Sequence, residues 1–304
     1  METCFRKFKE LNLWYYETIS SLANFSFGGL KIISGLFFTL IHLNMKVTVC
    51  ELSDNKQQFQ NDWKDLQLYL QTAFSDLLLL PEMPFYKWLA VSNIVSAELK
   101  QESVKEHQLW LKEIEALGVQ YVVYSIPEIV EGKYLNTAFV FEKGKGHYRL
   151  HSKAYFPEEP YFWEETWFDR EDPVSFEAFD LGDFTIGVLL CTELWFTEKA
   201  RDYGKQGIDI LFCPRATGKT SVEQWVNCGK TAAIICGAYC LSSNRSGLGE
   251  NNFEWGGVGW ITEPMNGNLL GRSSAENKFV TQEIDLEKSK EAKQEYPLYV
   301  KSDF

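Results

Sequence analysis

The stretch FTIGVLLCTELWFTEKARDYGKQGIDILFCP, residues 184–214, decides the fold. It opens on an apolar run ending at Cys191, passes through helical spacing over residues 196–206, and closes on a second apolar run, DILFCP. Runs without polar alternation want cover on both faces, and helices provide it. Strand, helix and strand in close succession are the signature of an α/β domain.

The alternation extends across residues 45–304. KVTVCEL reads as a first strand, followed by a helix over about residues 54–74 with Phe59, Trp63, Leu66 and Leu70 on one face. DLLLLPE and VQYVVYSIP are buried strands, and NTAFVFEKGKGHYRLHSK is a hairpin turning at Gly-Lys-Gly. Helices are expected near 93–117 and 221–237, with shorter strands at AYCLSSN, GGVGWIT, NLLGR and KFVTQEI. The later strands alternate more, which suggests a second sheet or a sheet edge. Two stacked sheets with helices outside fit this pattern, and so does one doubly wound sheet. No repeat or low-complexity linker divides the region, so it is expected to form one domain.

Of 304 residues, 45% are hydrophobic and 24% charged, the balance of a soluble globular chain. A net charge of −12 offers no clustered Lys/Arg for phosphates and argues against nucleic-acid binding. Seven cysteines without framework spacing, no CxxC and four histidines argue against disulfides or zinc and point to a reducing, cytoplasmic setting.

Residues 1–44 differ from the rest and read as a targeting or anchoring extension, or an over-long start with Met45 as the true one. The apolar run at 32–43 falls short of the about 20 residues a membrane-spanning helix needs. Membrane contact through residues 23–43 therefore has weak support.

Three residues share one context, a reactive or charged group where an apolar strand ends: Glu82, Lys153 and Cys191. Each alone has a bland explanation, because chains return to water at strand ends and free cysteines are mostly buried and inert. Together they make chemical sense. A helix starting after Cys191 would lower the thiol pKa, a carboxylate behind Pro81 could take its proton, and an ammonium could stabilise an oxyanion.

On these residues the chain resembles the nitrilase superfamily, the carbon–nitrogen hydrolases with a Glu-Lys-Cys triad. LLLLPEMPF, YRLHSKAYFP and GVLLCTELWF match its three catalytic segments in order, and SSNRSG, GGVGWITEPMNGNLL and the C-terminal segment are family-like as well. The resemblance implies an αββα sandwich that pairs into an αββααββα dimer or a higher homo-oligomer. It makes Cys191 the nucleophile, Glu82 the general base and Lys153 an oxyanion donor beside the backbone N–H of Thr192. A second glutamate that orients the lysine falls best on Glu164, with Glu158, Glu159 and Glu165 as rivals. Neither metal nor organic cofactor is implied, and the partner is a small-molecule amide, carbamoyl compound or nitrile.

Thr192 stands where nitrilases proper typically carry tryptophan, which favours an amide or N-carbamoyl substrate over a nitrile. The aromatic segment at 155–169 and Trp195 either wall an acyl pocket or pack at a dimer interface. Tyr86 and Trp88 follow Glu82 closely enough to face the substrate. Arg215, just past a strand, either binds a substrate carboxylate or is an ordinary arginine, and Asn244 is expected to make structural hydrogen bonds rather than carry a glycan. Two other classes remain open: a silent binding protein on this fold, which has no need of all three groups, and a membrane-linked acyltransferase, which would want several membrane helices.

Overall fold

The computed structural model describes residues 44–249 and 252–300. The expectations for residues 1–43 lie outside the described residues. Among those that are described, no helix is long and apolar enough to cross a membrane.

In chain order the elements are β1 (Asn44–Ser53), α1 (Lys56–Ala73), β2 (Leu77–Leu79), α2 (Ala97–Ala116), β3 (Tyr121–Val130), β4 (Lys133–Glu142) and β5 (Gly146–Ser152). The aromatic segment forms β6 (Glu158–Glu159), β7 (Phe162–Trp163) and the single turn α3 (Glu164–Trp167). Then come β8 (Phe179–Asp180), β9 (Thr185–Val188), α4 (Thr197–Lys205), β10 (Ile210–Arg215), α5 (Val222–Cys236) and β11 (Tyr239–Leu248). Strands β12 (Glu254–Gly256), β13 (Trp260–Thr262), β14 (Leu269–Arg272) and β15 (Phe279–Asp285) precede α6 (Glu287–Ala292).

Local chemistry sets these boundaries. Asn55 caps α1 by accepting the Gln57 and Gln58 N–H groups, and Ser96 caps α2 through Leu99 N–H, so α2 begins later than its apolar spacing suggests. β3 runs past Pro127, where a break was expected, into a ten-residue pairing with β4. Glu131 and Gly132 close that hairpin with φ of 51° and 80°, the left-handed pair that a two-residue turn requires.

The strands form two sheets joined at β1. Its first part pairs antiparallel with β15 and parallel with β2, in the order β5-β4-β3-β2-β1-β15. Its last three residues, Glu51, Leu52 and Ser53, pair with β11 of the second sheet, β8-β9-β10-β11. Val47, Leu77, Leu79 and Val123 of the first sheet pack against Ile186, Val188, Phe212 and Leu241 of the second.

Alternate residues face outward. Leu78, Leu80 and Val122 meet Phe59, Trp63 and Leu66 of α1, while Leu211, Cys213 and Cys240 meet Ala200, Tyr203 and Ala232 of α4 and α5. The result is an αββα sandwich, the first of the two arrangements the periodicity allowed. Gly204 of α4 lets the two outer helices touch, since a Cβ there would lie 2.7 Å from the Cys236 carbonyl oxygen.

Candidate active site

Strands β2, β5 and β9 all point the same way. β1, β2 and β3 are parallel, β5 regains that direction through the antiparallel β4, and β11, β10 and β9 follow β1. Glu82, Lys153 and Cys191 therefore emerge together at one edge of the sandwich, where α/β folds gather ligands. The structure brings all three together.

Lys153 is the hub. Its Nζ donates to Glu82 Oε1 at 2.9 Å and to Glu164 Oε2 at 2.5 Å. Asn136 Nδ2 donates to the same Glu82 oxygen at 2.8 Å, and all four side chains are fully buried. Among the described residues, Glu82 Oε2 and Glu164 Oε1 have no hydrogen-bond partner. Burial works against the lysine's charge, but the Glu164 and Glu82 carboxylates outweigh it and hold the ammonium pKa well above its ordinary value. Burial raises Glu164 to about 8 against the pull of Lys153. Of the rival glutamates, Glu158 accepts from Thr166 and Glu165 pairs with Arg170, while Glu159 lies exposed.

Cys191 is buried with φ of 49°, a left-handed conformation rare for a side-chain-bearing residue and a frequent mark of functional turns. The residues after it, Cys191–Trp195, form a 3-10 turn, and α4 begins only at Thr197. The expected lowering of the thiol pKa is not found. Burial and the Glu82 carboxylate push it well up, with Lys153 opposing. The thiol is thus held as S–H and needs a base when it reacts.

Glu193, the acidic residue two places after Cys191, and residues that carried no assigned role in the sequence hold this arrangement. The Glu193 carboxylate accepts the Leu190 and Ala154 N–H groups at 2.8 and 2.7 Å, and its Oε2 lies 2.8 Å from His151 Nε2. Around the base, Arg245 Nε donates to the Glu82 carbonyl at 3.1 Å, and its Nη atoms reach the Met83 and Tyr86 carbonyls and the Asp54 carboxylate. Met83 is itself left-handed, with φ of 42°, and its N–H donates to Ser125 Oγ at 3.0 Å. The signals were faint: His151 stands two places before the lysine, and Arg245 follows the family-like Asn244.

The expected substrate contacts divide. Thr192 is half-buried beside the thiol. Trp195 is 46% exposed and meets Trp225 edge-on at 5.1 Å. Tyr86 is half-buried, and Trp88 packs at 5.9 Å against Trp255.

For Arg215 the sequence left two roles open. Its side chain turns into the layer beneath α5, fully buried, donating to Ser242 Oγ, Thr217 Oγ1 and the Val258 carbonyl at 2.7, 2.8 and 2.6 Å. It also lies 4.1 Å over the Trp260 ring. These bonds are those of a structural arginine, the second of the two roles. Asn244 makes the expected structural bonds, to Thr217 and Gly257.

Trp88, Trp167, Phe253 and Trp255 line a cleft on this side of the molecule, and Cys191 is not among its walls. The aromatic segment joins Met83, next to the base, and Ala216, whose carbonyl lies 4.0 Å from Cys191 Sγ, in one apolar cluster. Among the described residues, no group of three or more His, Cys, Asp or Glu is arranged to hold a metal ion.

Residues 46–294 match the carbon-nitrogen hydrolase family, and the chain belongs to that family. A Solanum tuberosum protein named N-carbamoylputrescine amidase is 26% identical over 199 residues, covering 60% of this chain and 65% of that one. The match thus spans just under two thirds of that relative's length. The 2-oxoglutaramate amidase of Bacillus subtilis (strain 168) is 23% identical over 231 residues, 75% of this chain and 85% of the other. A solved carbon-nitrogen hydrolase from Helicobacter pylori G27 superposes with a TM-score of 0.72 at 23% identity, covering 84% of this chain and 94% of that one.

Proposed function

We propose that the protein is a thiol amidase, a carbon–nitrogen hydrolase that cleaves a non-peptide C–N bond in a small amide or N-carbamoyl compound. The observation that carries this reading is the buried Lys153 ammonium bridging Glu82 and Glu164 beside the Cys191 turn. The amidase names of the relatives support the same bond class.

The protonated thiol of Cys191 transfers its proton to Glu82, whose Oε2 has no partner among the described residues, as sulfur adds to the substrate carbonyl carbon. Lys153 Nζ and the Thr192 N–H receive the developing oxyanion. Glu82 hands its proton to the departing nitrogen, the C–N bond breaks, and an acyl thioester remains on Cys191. Water then loses a proton to Glu82 and adds to the thioester carbon. The C–S bond breaks, and the proton returns to sulfur. The raised pKa of Lys153 keeps it cationic throughout.

Ammonia release from a panel of amides, N-carbamoyl amino acids, N-carbamoyl amines and nitriles tests this. The expected result is turnover of an amide or carbamoyl member, with Cys191→Ala lowering it about a millionfold, as loss of a covalent nucleophile does. Full activity in Cys191→Ala overturns the mechanism. Turnover confined to nitriles overturns the substrate class.

A further inference from the structure

Cys191 and Lys153 come from opposite sheets. β5 and β9 stand near opposite ends of the hydrogen-bonded path β5-β4-β3-β2-β1-β11-β10-β9-β8, so no ladder sets their separation directly. It has to be fixed where the strands end. Glu193 spans that gap: Oε1 accepts the N–H of Ala154, the residue after Lys153, at 2.7 Å, and Oε2 accepts the N–H of Leu190, the residue before Cys191, at 2.8 Å. One fully buried carboxylate grips the backbone beside both reacting groups.

His151 completes the arrangement. Its Nδ1 lies 2.8 Å from the Ser175 carbonyl oxygen, which can only accept, so Nδ1 carries a hydrogen. Its Nε2 lies 2.8 Å from the Glu193 oxygen that already takes the Leu190 N–H, so it donates as well. A ring donating from both nitrogens is an imidazolium. Burial opposes that charge, but Glu193, aided from farther off by Glu171, outweighs it and raises the histidine above its ordinary value. The Phe176 ring packs on it with centroids 4.5 Å apart.

We propose that Glu193, charge-balanced by a protonated His151, is the positioning residue that holds the Cys191 turn against Lys153 across the two sheets. The proposal rests on Cys191 and Lys153 being the reacting pair. A misplacement of about 1 Å between reacting groups costs about 100-fold in rate, and a strut that touches no substrate acts on kcat, not on KM.

Two measurements test it. In the wild-type protein, 15N NMR near neutral pH shows His151, assigned by loss of its signals in His151→Gln, with both ring nitrogens protonated. A neutral ring overturns the charge-balanced strut. Glu193→Gln keeps the shape, removes the charge and places an amide N–H₂ among donors; kcat falls about 100-fold at unchanged KM while thermal unfolding remains cooperative. If Glu193→Gln does not fold, His151→Gln is assayed in its place and shows a smaller loss, again in kcat alone. Wild-type kcat in a folded variant, or a loss confined to KM, overturns the proposal. Failure of the underlying mechanism looks different: Cys191→Ala then keeps its turnover.

Discussion

Two buried carboxylate centres lie side by side at the strand ends and treat their oxygens in opposite ways. Both Glu193 oxygens are taken, by Leu190, Ala154 and His151. Glu82 and Glu164 share the Lys153 ammonium, and among the described residues each keeps one oxygen without a partner. A buried polar atom left unpaired costs stability, and proteins retain such atoms where chemistry needs them. The satisfied centre supplies rigidity, and the unsatisfied one supplies reactivity.

The contrast is easiest to break at Glu82. Glu82→Gln removes the proton acceptor and lowers turnover by about 10²–10⁴-fold. Undiminished turnover in a folded variant would mean that Glu82 is not the base. A fully paired ion pair behind the base shows its loss in stability instead. Asp54→Asn leaves the buried Arg245 without its counter-ion, and denaturant unfolding falls by about 3 kcal/mol. Asn136→Leu strips one donor from Glu82 and reduces turnover by about 10–100-fold, the worth of a hydrogen bond to a charged group.

The last effect is a slope. Glu164 stands at about 8 in the folded protein against an ordinary 4.5, so between those pH values the unfolded chain releases a proton that the fold retains. Stability from this group is full below the lower value and is lost as pH rises through the upper one. Glu164→Gln flattens that decline, so its melting temperature relative to wild type rises with pH across the window. An unchanged difference would show that Glu164 is ionised in the fold.

Glu82, Lys153 and Cys191 could be read from the sequence because each interrupts an apolar run, and sheet directions then bring strand ends together. Their supports could not. His151 meets Glu193 across 42 residues and Arg245 meets Asp54 across 191, and no local pattern encodes a partner at such distance. The role of Arg215 stayed open because a position at a strand end does not say which way the side chain turns. The choice between one sheet and two was hidden in β1, whose sequence reads the same whichever partner it takes. The helix expected over residues 196–206 forms as α4, but a 3-10 turn separates its N-terminus from the thiol.

Strand β1 also governs how the molecule comes apart. Asn44–Cys50 are committed to one ladder and Glu51, Leu52 and Ser53 to another, so neither sheet can fray fully while the other keeps this strand intact. The two halves of the sandwich are therefore one cooperative unit. The backbone amides of β1 are expected to exchange with solvent only when the whole domain opens.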